Sequence, residues 1–499
     1  MSQIGLLFGI YIVGLLFGML FVQRIAAAYL VSAAFLFGAV FFTLYSLLLL
    51  AFRLPYTMTA LILFLAAGIL ILGLLNLIRG TFREITRENN IYPWLLGLAA
   101  CAAVLIFARD NNLSIATSDS FAYILNGRTL AINGLNPQSA GWLSSFGVML
   151  PVLQASSIAL DESYLYALSP LLGITLLATS GVLIYQGAQQ YTAQRYLARL
   201  IAVVSVLVLG SSNFVIFHTF YVHTNILEAA FLVNAVGGTW LGLAQKKRSW
   251  LALSLVSWLG FSLGRPEAPL VALLFLTLMI SCNVFPWRIS LALYLPYLIA
   301  VSLWLVLLGY LIGSGSTFLT PMRIALFLLA YLGAAVMVLL GEVRWGQRLL
   351  SWYPWLLVGG LAFSLVLMFV TRPAHMLESS VSLLTNLFTL SGRWGAIWYG
   401  IAILSLLALR QRKLPNERIF AAGIPAFILL VLGLSYLRIP YHANWWDSAN
   451  RMMLHVLPVW LVYLAVKFYP RWVERVQAAI RRVDRFNSKA GPGPDQVPD

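Results

Sequence analysis

The sequence predicts an all-α polytopic membrane protein with about 13–15 transmembrane helices, and three observations carry that prediction. Hydrophobic residues make up 61% of the 499 and charged residues only 10%, where a soluble protein carries about 25% charge. The apolar runs are typically 18–25 residues long, enough for helices to cross a ~30 Å hydrocarbon core at about 1.5 Å per residue. The third observation is where the +16 net charge sits. Lys246, Lys247 and Arg248, then Arg410, Arg412 and Lys413, cluster between apolar runs, and more arginines follow Arg471. That is the positive-inside pattern of a polytopic protein, so the charge argues for membrane orientation and not for a nucleic-acid partner. A transmembrane barrel needs strictly alternating strands of ~10 residues, which the runs are not.

The elements follow in chain order. Residues 1–90 hold three additional N-terminal spans, near 4–22, 27–51 and 57–78; with no short apolar region and cleavage site, 4–22 reads as retained. Residues 91–470 form the core, with spans near 91–108, 164–186, 197–217, 223–244, 249–263, 267–281, 289–312, 322–341, 353–371, 395–410, 419–437 and 453–469. The pieces 249–263 and 267–281 are short, and 146–160 reads as a further partial segment. Placing Arg79, Arg83 and Arg87 in the cytoplasm sends 187–196, 245–248, 282–288, 342–352 and 410–418 there by alternation. The opposite face receives 109–163, 218–222, 264–266, 313–321, 372–394 and 438–452, with the N-terminus outside and the C-terminus inside. All five histidines (His218, His223, His375, His442, His455) fall in or beside these outer segments. Residues 471–488 read as an amphipathic helix on the anionic inner leaflet, with Trp472, Val473, Val476, Ile480 and Val483 on one face. Residues 489–499, rich in Gly, Pro and Asp, read as disordered. Cys101 and Cys282 lie too far apart in this arrangement to form a disulfide.

The outer segments carry the chemistry-bearing residues. The 109–163 loop is long for a connector. Within it Phe121, Tyr123, Ile124, Leu125, Leu130 and Ile132 recur at helical spacing, so an amphipathic helix rests on the membrane surface there. Ser118 is its expected N-cap, Asp119 suits the helix dipole, and Gly134 and Pro137 end it. A capping carboxylate is the plain reading of Asp119; its place among the other outer ionisable groups favours a functional one. In HTFYVHTNILE, His218 and His223 flank a polar aromatic turn. Their spacing matches no zinc pattern, which leaves interfacial anchoring or contact with a phosphate or sugar. GRPEAP places Arg265 and Glu267 at a tight turn between two short spans. Charges at membrane depth are costly and functional by default; the pair either neutralises itself or leaves Arg265 to bind a phosphate with Glu267 orienting it. The stretch before the last span gathers His442, Trp445, Trp446, Asp447 and Arg451. Its tryptophans serve equally as an interfacial belt or as a stacking surface for a sugar ring.

D-x-F-x-Y-x-x-x-G-R-x-L-x-x-x-G-x-N-P, from Asp119 to Pro137, resembles the first outer-loop motif of the GT-C-fold glycosyltransferases, and the organisation of residues 91–470 resembles theirs. Members are integral membrane enzymes that take a sugar from a polyprenyl-phosphate donor. The resemblance implies that Asp119 is catalytic. Ser120 stands where many members carry a second acid, and Gln138 where many carry Tyr. No metal ligands are assigned, and a divalent cation, Mg or Mn, stays open as a cofactor.

The expected function is transfer of a sugar from a polyprenyl-phosphate donor to a hydroxyl of a glycan, lipid or protein acceptor, within the bilayer and on the periplasmic face of a bacterial inner membrane. Asp119 acts as general base. Arg265, Arg451 and Arg128 bind the donor phosphate, and His218, His223, Glu267, His442, Trp445 and Asp447 contact substrate. A transporter or flippase of a lipid-linked sugar, a polymerase or ligase with a lipid-diphosphate donor, and a non-catalytic scaffold are the alternatives.

Overall fold

A computed structural model describes residues 2–87, 91–191, 194–312, 320–437 and 439–489, with backbone alone for 86–87, 312 and 481–489. Among the described residues no strand forms, and one isolated parallel bridge joins Ile115 to Tyr221. The N-terminal helices are α1 (Gln3–Met19), α2 (Ala27–Ala51), α3 (Met58–Ile78) and the short α4 (Thr81–Arg87). After α5 (Ile91–Asp110), the outer loop folds into α6 (Ser118–Asn133), α7 (Pro137–Phe146) and α8 (Met149–Ala159). The middle of the chain is α9 (Leu168–Ala188), α10 (Arg195–Gly210), α11 (Asn213–Phe220), α12 (Thr224–Ala244), α13 (Arg248–Gly264) and α14 (Ala268–Ser281). Next come α15 (Trp287–Ile312), α16 (Pro321–Leu340), α17 (Arg344–Thr371), α18 (Pro373–Phe388), α19 (Ile397–Ala408), α20 (Arg418–Tyr436) and α21 (Ser448–Lys489).

The chain is an integral membrane protein. Ten of the described helices are long and apolar enough to cross a membrane, or eleven when α10 and α11 count as one broken span. The expectation of 13–15 crossings is corrected in length, not in place: every expected span is helical, but five fall short or break. α1 and α13 have 17 residues, α14 has 14 and α19 has 12, so at about 1.5 Å per residue none covers a ~30 Å core. The segment expected as 197–217 bends by 76° between α10 and α11, at the turn-forming Gly210-Ser211-Ser212-Asn213.

α12 is the centre of the bundle, buried along its whole length and packed against α9, α13 and α21. Small residues allow that approach: an added Cβ on Gly238 meets Ser254 Cβ at 3.2 Å and one on Gly242 meets Leu251 at 3.0 Å. The N-terminal helices are not a separate unit. α2 packs on α9 and α13 and shares one continuous hydrophobic core with the rest. α1 and α2 cross where Gly14 faces Ala34 O and Gly38 faces Ile10 O, each at under 2 Å from an added Cβ.

Three further details differ from expectation. The N-cap of α6 is Thr117, not Ser118, and Ser120 Oγ accepts from the Thr117 N–H at 3.1 Å. The apolar positions of α6 split into two stripes. Tyr123, Ile124 and Leu130 are buried by the protein while Phe121, Leu125 and Ile132 are exposed, and Gly127 lets α8 approach at Pro151 O. The amphipathic segment 471–488 continues the last span through Pro470 as one helix to Lys489. The prolyl ring removes one backbone bond there without ending the helix. Of the tail expected as disordered, 489–499, Lys489 ends α21 and residues 490–499 lie outside the described residues.

Replacing Gly14 or Gly38 by Leu forces α1 from α2 and costs about 1–3 kcal/mol, seen as a lower thermal midpoint in detergent. Gly73→Leu, where an added Cβ meets nothing within 4 Å, leaves the midpoint unchanged.

Candidate functional site

Asp119 is held by the segment before it. The Ile115 N–H donates to Phe220 O at 2.7 Å and the Val222 N–H donates to Ile115 O at 3.1 Å. Thr117 Oγ1 and Tyr221 OH lie 3.0 Å apart. These bonds stitch the start of α6 to the turn between α11 and α12. Asp119, in the first turn of α6, then faces the first turn of α21.

α21 begins in a loop that fixes its own end. The Asp447 carboxylate accepts from the N–H groups of Ala449 (2.8 Å) and His442 (3.0 Å), so it caps the helix. Asn450 accepts from Trp394 Nε1 and donates to Trp445 O (3.1 Å) and Gly392 O (3.3 Å). Arg451 follows, and its Nη1 donates to Asp119 Oδ2 at 2.7 Å and to His223 Nε2 at 3.1 Å. Asp119 remains 47% exposed while Arg451 is 15% exposed, so the carboxylate is the accessible partner.

His223 is the N-cap residue of α12. Burial, and then the adjacent Arg451 guanidinium, hold its imidazole well below the ordinary histidine range. A neutral ring that accepts at Nε2 carries its proton on Nδ1, which faces Thr224 Oγ1 at 3.5 Å. Tyr123 OH sits 3.4 Å from His223 Nε2 and 3.2 Å from Thr224 Oγ1, and burial raises its phenol pKa. Tyr221 stacks on His223 with ring centroids 5.2 Å apart.

A second guanidinium lies beside this group. Arg265 Nε pairs with Glu267 Oε1 at 2.8 Å, and Arg265 Nη1 donates to Asn225 Oδ1 at 3.0 Å. Of the two readings of GRPEAP, the mutual ion pair is the contact present. The turn is clamped by the Val148 N–H, which donates to Leu263 O at 2.9 Å, and by Gly147 at φ 78°, whose added Cβ would meet Gly264 O at 2.0 Å. Gly264 in turn gives room to the buried Glu228, whose Oε1 lies 1.5 Å from an added Cβ.

The other expected residues divide. His218 is buried, with Nδ1 2.9 Å from Phe214 O, among the rings of Phe214, Phe217 and Tyr221. Its Nε2, His455 Nε2, Asn225 Nδ2, Arg451 Nε and both Glu228 oxygens are buried without a hydrogen bond among the described residues. Trp445 and Trp446 pack on each other, on Phe217 and, through Trp446, on Tyr221, with Arg393 over Trp445 at 4.2 Å. His442 faces Glu378 at 3.4 Å, and both side chains are exposed. Asp447 is a helix cap and not a free ligand. Arg128 stands apart, exposed and about 13 Å along α6 from Asp119. Tyr123 and Thr224 were missed as site residues. Tyr123 lies one helical turn after Asp119, a spacing that marks a shared face.

The residues near Asp119 do not suit a divalent cation. His223 Nε2 and Asp119 are both engaged by a guanidinium, Ser120 is buried in the helix cap, and no three described His, Cys, Asp or Glu side chains converge. No family model, curated protein or solved structure matches the chain.

Because the folded state depresses the His223 pKa, that residue's contribution to stability is complete above the unfolded value of about 6.5 and is lost as pH falls below it. The thermal midpoint should drop on acidification through that value, and His223→Gln should drop less steeply over the same pH range.

Proposed function

We propose that the chain is a membrane glycosyltransferase that moves a sugar from a polyprenyl-phosphate donor to an acceptor hydroxyl, with the cluster around Asp119 as its active site. The observation that carries the reading is the Asp119–Arg451 pair. A half-exposed carboxylate meets a buried-side guanidinium 332 residues later in the chain, at 2.7 Å. Its neighbours are a neutral imidazole, a second arginine and several unpartnered buried polar atoms. Unpaired buried polar groups are costly, and sugar hydroxyls and a phosphate are ligands that relieve such a cost. The proposed setting is a bacterial inner membrane. The Lys and Arg clusters of the opposite ends favour a periplasmic site and a cytoplasmic C-terminus.

In this reading the resting pair is a latch. A donor phosphate competes for Arg451, with Arg265 beside it, and frees Asp119. The acceptor hydroxyl then attacks the anomeric carbon while Asp119 takes its proton. The bond from that carbon to the phosphate oxygen breaks, its electron pair leaves on the phosphate, and the arginines stabilise the charge. Neutral His223 accepts from Arg451 and so fixes the guanidinium without adding to the positive charge. Glu267 orients Arg265 as its ion-pair partner and offsets part of its charge.

Transfer from a radiolabelled polyprenyl-phosphate sugar tests this. Asp119→Asn should lower the rate by about 10²–10⁴, Arg451→Gln should lower it and raise the donor KM, and Arg128→Gln should change neither. Full activity in Asp119→Asn removes Asp119 as the base.

A further inference from the structure

α10 is 16 residues long, about 24 Å, and α11 leaves it at 76°. With α10 along the membrane normal, α11 lies near the membrane plane, close to one boundary of a ~30 Å core. Its outer end is exposed at Asn213 and Ile216, and its inner end leads to the buried Tyr221 and His223. The 8 residues of α11 therefore form a spoke of about 12 Å from the lipid-facing side to the Asp119–Arg451 pair.

A groove of about 330 Å³ opens at the outer end of this spoke. Ser211, Ser212 and Asn213 line its polar part, Ile397, Ile401 and Leu404 of α19 its apolar part. α19 has 12 residues, about 18 Å, too short to wall the groove off from lipid along a ~30 Å core. Ser212 is the N-cap residue of α11, yet its hydroxyl does not cap the helix; it is 4% exposed and makes no hydrogen bond among the described residues. The N–H groups of the first turn of α11 have no intrahelical acceptor, and they sit at the positive end of the helix dipole. No acidic side chain lines the groove. An anion suits the polar part and a hydrocarbon chain the apolar part.

We propose that this groove binds the acceptor, and that the acceptor is an anionic glycolipid. Its phosphate sits at Ser212 and the first turn of α11, its tail lies along α19, and its glycan extends along α11 to present a hydroxyl to Asp119. The term acceptor rests on the function proposed above. The donor does not fit this place. Its phosphate is bonded to the reacting carbon and must lie at the reaction centre, whereas the groove's anion position is about 12 Å away along α11.

The test uses the full-length protein and two photoreactive probes: a long-chain alkyl phosphate with a diazirine in its tail, and the alcohol with the same tail. The phosphate probe should label the Ile397–Leu404 segment, and the alcohol should label it about tenfold less, equivalent to about 1.4 kcal/mol. Gly400 lines the groove and an added Cβ there meets nothing within 4 Å, so Gly400→Trp fills the groove without crowding the fold. It should abolish the labelling, whereas Gly359→Trp on α17, equally open, should not. Ser212→Ala should reduce the preference for phosphate over alcohol. Equal labelling by both probes, labelling spread evenly over the lipid-facing helices, or labelling indifferent to Gly400→Trp overturns the proposal. Labelling needs no turnover. Its failure beside Asp119-dependent transfer therefore overturns the groove alone, and labelling without any transfer overturns the acceptor role.

Discussion

A guanidinium cannot lose its proton and cannot rest in hydrocarbon without acceptors around it. Much of one end of the bundle is arranged to satisfy Arg451 and Arg265. Arg451 rises from the last long helix, and its two acceptors come from the outer loop and from the cap of the central helix. Arg265 sits in the turn between two short helices and is met by Glu267 and by Asn225 of that same central helix. α12 is thus the common reference for both arginines. Its complete burial makes that reference rigid.

Helix ends place the remaining groups. Thr117 and Asp447 each stand at the start of a helix next to the site, and Asp447 accepts backbone N–H groups there. The parallel bridge at Ile115 and Tyr221 joins the start of α6 to the turn that leads into α12. Residues far apart in the chain meet because capped helix starts converge on one end of the bundle. Short α13 and α14 allow this, since their shared turn reaches the cluster while longer helices surround it. The cluster keeps one accessible acid, Asp119, and buries its basic partners.

Much of this was legible in the sequence because bilayers impose strong rules. Apolar run length put a helix at every expected span, though not at α18 in the outer 372–394 segment; Gly134 and Pro137 marked the end of α6, and one of the two readings of GRPEAP was the ion pair that forms. The crossing count failed because hydropathy registers a run such as 395–410 without registering that its helix is only 12 residues long. The break after Gly210 carried a readable turn signal, Ser211-Ser212-Asn213, masked by apolar residues on both sides. Pairings such as Asp119 with Arg451, or Trp394 with Asn450, leave no local trace, since each joins segments brought together by tertiary packing alone. The same holds for Arg128, whose place in the motif gave no hint that it would point away from the cluster.

The central claim is that Asp119 and a lipid phosphate compete for Arg451. Its most direct test is the affinity of the solubilised protein for a polyprenyl monophosphate, measured with Asp119 present and with Asn in its place. Competition predicts tighter binding in the Asn variant, since Arg451 is then released from its carboxylate. Unchanged or weaker binding would contradict the account.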